Sequence, residues 1–122
     1  MKSTETNDRE LLELAAKAAG YRVKFSVTGD PYAQAGINTR AWNPLTDDGD
    51  SLRLAVDLNI GIRSHGHDHW QQPNTSVALY EVGEFGGGRV TVEHGGDSLR
   101  ATRRAIVRAA AQVGQAAQGG AQ

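Results

Sequence analysis

The feature that most constrains the fold is a change of hydrophobic period along the chain. Leu11, Leu14, Ala15 and Ala18 recur at helical spacing, with Arg9, Glu10, Glu13 and Lys17 between them. Gly20 supplies a stop, and Tyr21, Val23, Phe25 and Val27 then alternate with Arg22, Lys24 and Ser26 at a period of two. A chain that switches period this quickly is neither all helix nor all sheet. The spacing predicts a helix over 9–19 and a strand over 21–27. Residues 29–39, with Asp30-Pro31 and Gly36, show turn chemistry without periodicity and are expected to form a loop.

A second helix is expected over 48–58. Asp47, Asp48 and Asp50 supply acceptors and negative charge at its start, and Leu52, Val56 and Asn59 continue one face. Residues 60–63, 77–83 and 89–93 read as short strands. The last two are separated by Phe85 and Gly86-Gly87-Gly88, which suggests a hairpin. Asp97 or Ser98 can cap a final helix whose apolar face is Leu99, Ile106, Ala110 and Val113. The expected class is α+β, with an antiparallel sheet of about four strands packed with three helices. Leu14, Val23, Phe25, Leu52, Val56, Val77, Leu79, Val90, Val92, Ile106, Ala110 and Val113 form the expected core. The 122 residues suit one domain, placed at 9–114, with 1–8 and 115–122 as frayed tails.

Composition excludes several classes of function. The chain has no cysteine, which removes disulfide scaffolds, thiolate metal sites and a cysteine nucleophile. Thirteen Lys plus Arg against fourteen Asp plus Glu leave a net charge of -1, so no global field draws the chain to nucleic acid or anionic lipid. No apolar run reaches the roughly 20 residues of a membrane span. The cytoplasm is the expected location. Gly86-Gly87-Gly88 lacks the Lys-Ser or Lys-Thr of a phosphate loop, and no nucleophile-and-base spacing or cofactor fingerprint is recognisable. No cofactor is expected.

Three local features carry chemistry. Ser64 to Trp70 holds three of the four histidines, and in an extended segment His65, His67 and His69 would share one side, a sufficient set of ligands for zinc with one open position. The order resembles the His-x-His-x-Asp-His signature of metallo-β-lactamase-like hydrolases, but Asp68 follows His67 directly and the spacing fails. A solvated, histidine-rich loop with no metal is the weightier reading. Arg100, Arg103, Arg104 and Arg108 recur at spacings of three and four, a cationic ridge suited to phosphates or carboxylates, or simply a solvated helix face. The junction Ala41 to Asp47 joins an aromatic plate, Trp42, to Asn43 and a fixed turn at Pro44. Trp42 or Trp70 with Arg40, Arg53 or Arg63 could form a nucleotide pocket, although the same junction serves equally as structure.

Leu11 to Tyr21, Trp42 to Val56 and Ala101 to Ala110 resemble the phage α-β-α sandwich domain family, small proteins of phage and prophage genomes. The resemblance covers the helices and not the histidine loop. It implies a phage origin, a host-cytoplasmic location and a compact α+β fold, with no catalytic residues to carry over. The leading expectation is an accessory protein that binds a host or phage protein, blunting an antiviral defence by protein contact. The alternatives are a sponge for a signalling nucleotide and a zinc hydrolase on His65, His67 and His69 with Asp68 or Glu81 as base. Trp42, Asn43, Arg53, Arg63, Trp70, Arg100, Arg104 and Arg108 are the candidate contacts, and a second copy of the chain is a further candidate partner.

Overall fold

A computed structural model of the chain describes residues 7–84 and 86–120. It is an α+β fold of three helices and two three-stranded antiparallel sheets, rather than one sheet of four. Helix α1, Asp8–Ala19, is capped by Asn7, whose Oδ1 accepts from the Arg9 N–H at 2.9 Å. It ends at Gly20 in the left-handed region, φ 85°, where the glycine N–H reaches the Ala16 and Lys17 carbonyls. Residues 1–6 of the expected N-terminal tail lie outside the described residues.

The first sheet is β1, Arg22–Phe25, β2, Pro31–Ala35, and β3, Asn38–Ala41, in that order. The expected loop at 29–39 is therefore mostly a hairpin. Its strands are only five and four residues long; β3 is exposed throughout, and β2 alternates but buries only Pro31 and Ala33, turning the larger Tyr32 outward, so the sequence carries no strong strand signal. Pro31 is tolerated because it opens β2.

Helix α2, Asp48–Asp57, lies where expected but rotated. Ser51, Leu54 and Ala55 are buried, whereas Leu52 and Val56 face outward. Both sets fit a helical period, and the sequence favoured the larger side chains over the set that packs.

The second sheet is β4, Gly61–His65, β5, Thr75–Val82, and β6, Gly86–Glu93, with β4 and β6 at the edges. The expected 77–83 and 89–93 hairpin is present, but the glycine triplet belongs to β6 and not to the turn. Gly88 pairs with Tyr80, and a Cβ there would lie 2.6 Å from the tyrosine hydroxyl, so the glycine makes room for the ring. Leu79 faces away from the core and is exposed.

Helix α3, Ser98–Gly120, is the central element, packed against α1, α2 and the second sheet. Val77, Ile106 and Ala110 are buried as expected, and Leu14, Val23, Phe25, Val90 and Val92 pack at the core's margin. Val113 is half-buried. Gly114, the expected helix stop, is instead a buried helical residue, and 115–120 continue the helix. The Asp8–Arg104 ion pair at one end and the Leu14–Gly114 contact further along set α1 and α3 side by side and parallel.

Candidate functional site

The site forms where the β2–β3 hairpin meets the start of α2. Trp42, 2% exposed, packs edge-to-face on Tyr21 with ring centroids 5.8 Å apart and anchors the end of β3. Asn43 then makes a side-chain turn, its Oδ1 accepting from the Leu45 N–H at 3.0 Å, and buried Pro44 directs the chain into α2. Asp47 caps the helix, accepting from the Asp50 N–H at 2.8 Å.

Asp50 is the centre of this junction. Its carboxylate, almost fully buried, accepts from the Asn43 N–H at 2.9 Å, from Arg53 at 2.9 Å and from Arg40 at 3.1 Å. Burial by itself would raise its pKa. The Asn43 N–H, then Arg53 and Arg40, more than offset that and hold the carboxyl below the ordinary value. The two arginines are half exposed, at 50% and 58% of their side-chain surface, so Asp50 positions them while their outer faces remain open to solvent.

The cleft above them has a volume of about 550 Å³ and is walled by Asp30, Tyr32, Trp42 and Asp47 as well as the two arginines. Trp42, Asn43, Arg40 and Arg53, all named from the sequence, thus come together. Trp42 is too buried to offer a ring face, and Tyr32 is the aromatic wall. Arg63 and Trp70 lie elsewhere, on β4 and on the loop that follows it. Sequence reasoning took Asp50 for a capping residue. The available signal was an acidic excess, since one helix start needs one cap and Asp47 supplies it.

The arginine ridge is largely committed to the fold. Arg103 donates to the Leu45 carbonyl and to Asp48, each at 2.8 Å, and Arg104 pairs with Asp8 at 2.8 Å. Arg100 is exposed and Arg108 half-buried, and neither has an ion-pair partner among the described residues.

The histidine segment is not extended beyond His65. His65 and His69 stack, with ring centroids 3.8 Å apart and planes 13° from parallel, while His67 turns outward to Asp68 at 3.0 Å. The Nδ1 of His69 accepts from the Gln71 and Gln72 N–H groups, and Nδ1 of His65 lies 3.3 Å from the Thr75 hydroxyl. No three ligating side chains gather around a common point among the described residues.

Desolvation first, then repulsion from His69, Arg63 and Arg89, lowers the His65 pKa from 6.5. The fold thus favours the neutral ring, and this contribution is complete above the unfolded value and lost as pH falls through the folded one. In an NMR titration the His65 ring should titrate below 6.5, and Arg63→Gln should move it upward. A midpoint at or above 6.5 would contradict the stacked geometry.

One pairing escaped the sequence. Ser76, fully buried, lies 3.0 Å from His94 Nε2 and 2.7 Å from the Thr102 hydroxyl. These positions are 18 and 26 residues from Ser76 along the chain. Thr102 donates to the Ser98 carbonyl at 2.8 Å, so it accepts from Ser76, and Ser76 in turn accepts from His94. This Ser-His-Thr contact ties β5 and the residue after β6 to α3.

Comparison of the chain with protein-family models, curated proteins and solved structures gives no match in any of the three. No helix among the described residues is long and apolar enough to cross a membrane.

Proposed function

We propose that this is a binding protein that captures a protein partner in the cleft of Tyr32, Arg40, Asp50 and Arg53. The observation that carries the reading is the pair of half-exposed arginines fixed on one buried carboxylate, which is how a surface preorganises planar donors for carboxylate and carbonyl groups. The cleft's charged lining is two arginines against Asp30, Asp47 and Asp50. That net negative balance favours a protein surface carrying both signs over a nucleotide with several phosphate charges. The sponge reading is the weaker for this reason, and the zinc hydrolase is weaker again because His65, His67 and His69 diverge. A phage origin, action in the host cytoplasm and interference with an antiviral defence complete the proposal. Their support is the resemblance of the helical stretches to the phage family.

The test is affinity capture from host lysate with the wild-type chain and with Tyr32→Ala and Arg53→Glu variants, alongside mass spectrometry for bound nucleotides. A partner lost by more than about 30-fold in both variants, each assayed well below its own melting temperature, is the expected result, and Arg53→Glu alone should melt lower because it sets a second carboxylate against Asp50. A partner held equally by all three chains would remove the cleft from the reading. A co-purified nucleotide, lost in Arg53→Glu, would replace the protein partner with a small ligand. Equal growth of phage with and without the gene on every defence-carrying host would end the defence role.

A further inference from the structure

Away from the cleft, α2, α3 and β4 enclose a second, apolar groove. Leu52, Ile62, Leu99 and Ile106 line it, and Leu52 and Leu99 stand 59% and 60% exposed. Ser51 also lines it, and its Oγ is buried without a hydrogen-bond partner, an uncommon state because such an atom forfeits its hydration. The groove's volume of about 250 Å³ is below the roughly 300–1,000 Å³ of small-molecule sites and suits one large side chain. An aromatic residue would bury its ring against these aliphatics.

The chain carries such a side chain. Trp70 is 82% exposed on the loop after β4. That loop is internally braced, with the Gly66 carbonyl accepting from both His69 and Asn74 and with His69 Nδ1 holding Gln71 and Gln72. A braced, protruding tryptophan has lost much of the freedom that binding would otherwise cost it.

We propose that a second copy of this chain fills the groove. Two copies pair along their β4 edges, and Trp70 of each enters the Leu52–Ile62–Leu99 groove of the other. Strand β4 is an edge with one side unpaired by β5. Antiparallel pairing puts the end of one β4, which leads to Trp70, beside the start of the other, which carries Ile62. Centring the pair on Ile62 sets Arg63 opposite Gly61 and keeps the two arginines from facing each other.

Charge is complementary as well. Asp68, exposed and two residues from Trp70, would meet Arg100, which adjoins Leu99 and has no ion-pair partner among the described residues. Each copy would contribute about 200 Å² from its tryptophan. The reciprocal groove roughly doubles that, reaching about half of the ~800 Å² per partner of a stable interface, and the paired edges supply the remainder.

Sedimentation equilibrium of the whole chain tests this, with tryptophan fluorescence as a second readout. The wild type should form dimers, and its Trp70 emission should shift to the blue as concentration rises. Trp70→Ala and Leu99→Lys should each weaken the dimer by more than about 30-fold. Mixing those two variants should restore partial association, because one intact tryptophan then meets one intact groove. Asp68→Arg combined with Arg100→Asp should associate better than either single change. A wild type that stays monomeric at about 100 μM, or a dimer indifferent to Trp70→Ala, would overturn the proposal. Because these readouts involve neither Tyr32 nor Arg53, failure here leaves the cleft reading standing, and the reverse is also true.

Discussion

Gly114→Ala is expected to destabilise the protein by about 2 kcal/mol, although the same exchange in an exposed helix would stabilise it by about 1 kcal/mol. A Cβ at this position would overlap the Leu14 carbonyl oxygen of α1 and lie 3.0 Å from its carbonyl carbon. Both atoms are backbone, so no side chain can rotate aside. Helix α1 must move outward, loosening Leu11, Leu12, Ala15 and Ala16 from α3, and because the overlap is with backbone the cost lies at the upper end of overpacking, about 3 kcal/mol. The packing loss outweighs the gain in helix propensity. Thermal melting decides the matter, since a chain this size loses about 4 °C per kcal/mol. A variant that melts above the wild type would show that the two helices are not in backbone contact.

Asp50→Ala should cost about 2–3 kcal/mol at pH 7. Removing one member of a fully buried ion pair costs more, about 3–5 kcal/mol, but Arg40 and Arg53 are half exposed and regain water when Asp50 is lost. The Asn43 N–H does not escape so easily, and its orphaning carries most of the effect. Asp50→Asn separates charge from shape. With the wild-type carboxyl held below the ordinary 3.8, the unfolded chain takes up its proton first as pH falls. The stabilisation is therefore complete above the unfolded value and is lost on passing down through the folded one. Urea denaturation of Asp50→Asn at pH 7 and at pH 3 should show a flatter acid limb than the wild type. An unchanged limb would mean that Asp50 does not titrate below its unfolded value.

The helices were legible because their signals are local. Leu11 to Gly20 contains a face and a stop, and Asp47 to Asp50 contains a start. The hairpin over 31–41 was not legible, because β3 buries none of its residues and leaves no alternation to read. Leu52 and Val56 misled for the opposite reason. They are the larger apolar residues of α2, but the space beside α3 accepts Ser51, Leu54 and Ala55, and that selection is made by the partner helix. In the cleft, Trp42, Asn43, Arg40 and Arg53 could be chosen by residue type. Arg40 and Asp50 are ten residues apart and Tyr32 sits on an unseen strand, so their convergence needed the fold. The Ser76–His94–Thr102 contact is beyond sequence reading for the same reason.

The parallel seating of the first and last helices has a consequence for how the chain is made. Asp8 and Arg104, which meet in the finished protein, are 96 residues apart. Translation delivers them at about 5–20 residues per second, so α1 leaves the ribosome on the order of 5–20 s before α3 exists to cover it. During that interval the Leu11–Leu12 face has no packing surface of its own, while the hairpins that follow close locally. Each nascent chain therefore displays a short apolar helix to the folding machinery of the cell throughout that interval, and completion of helix α3 is the event that withdraws it.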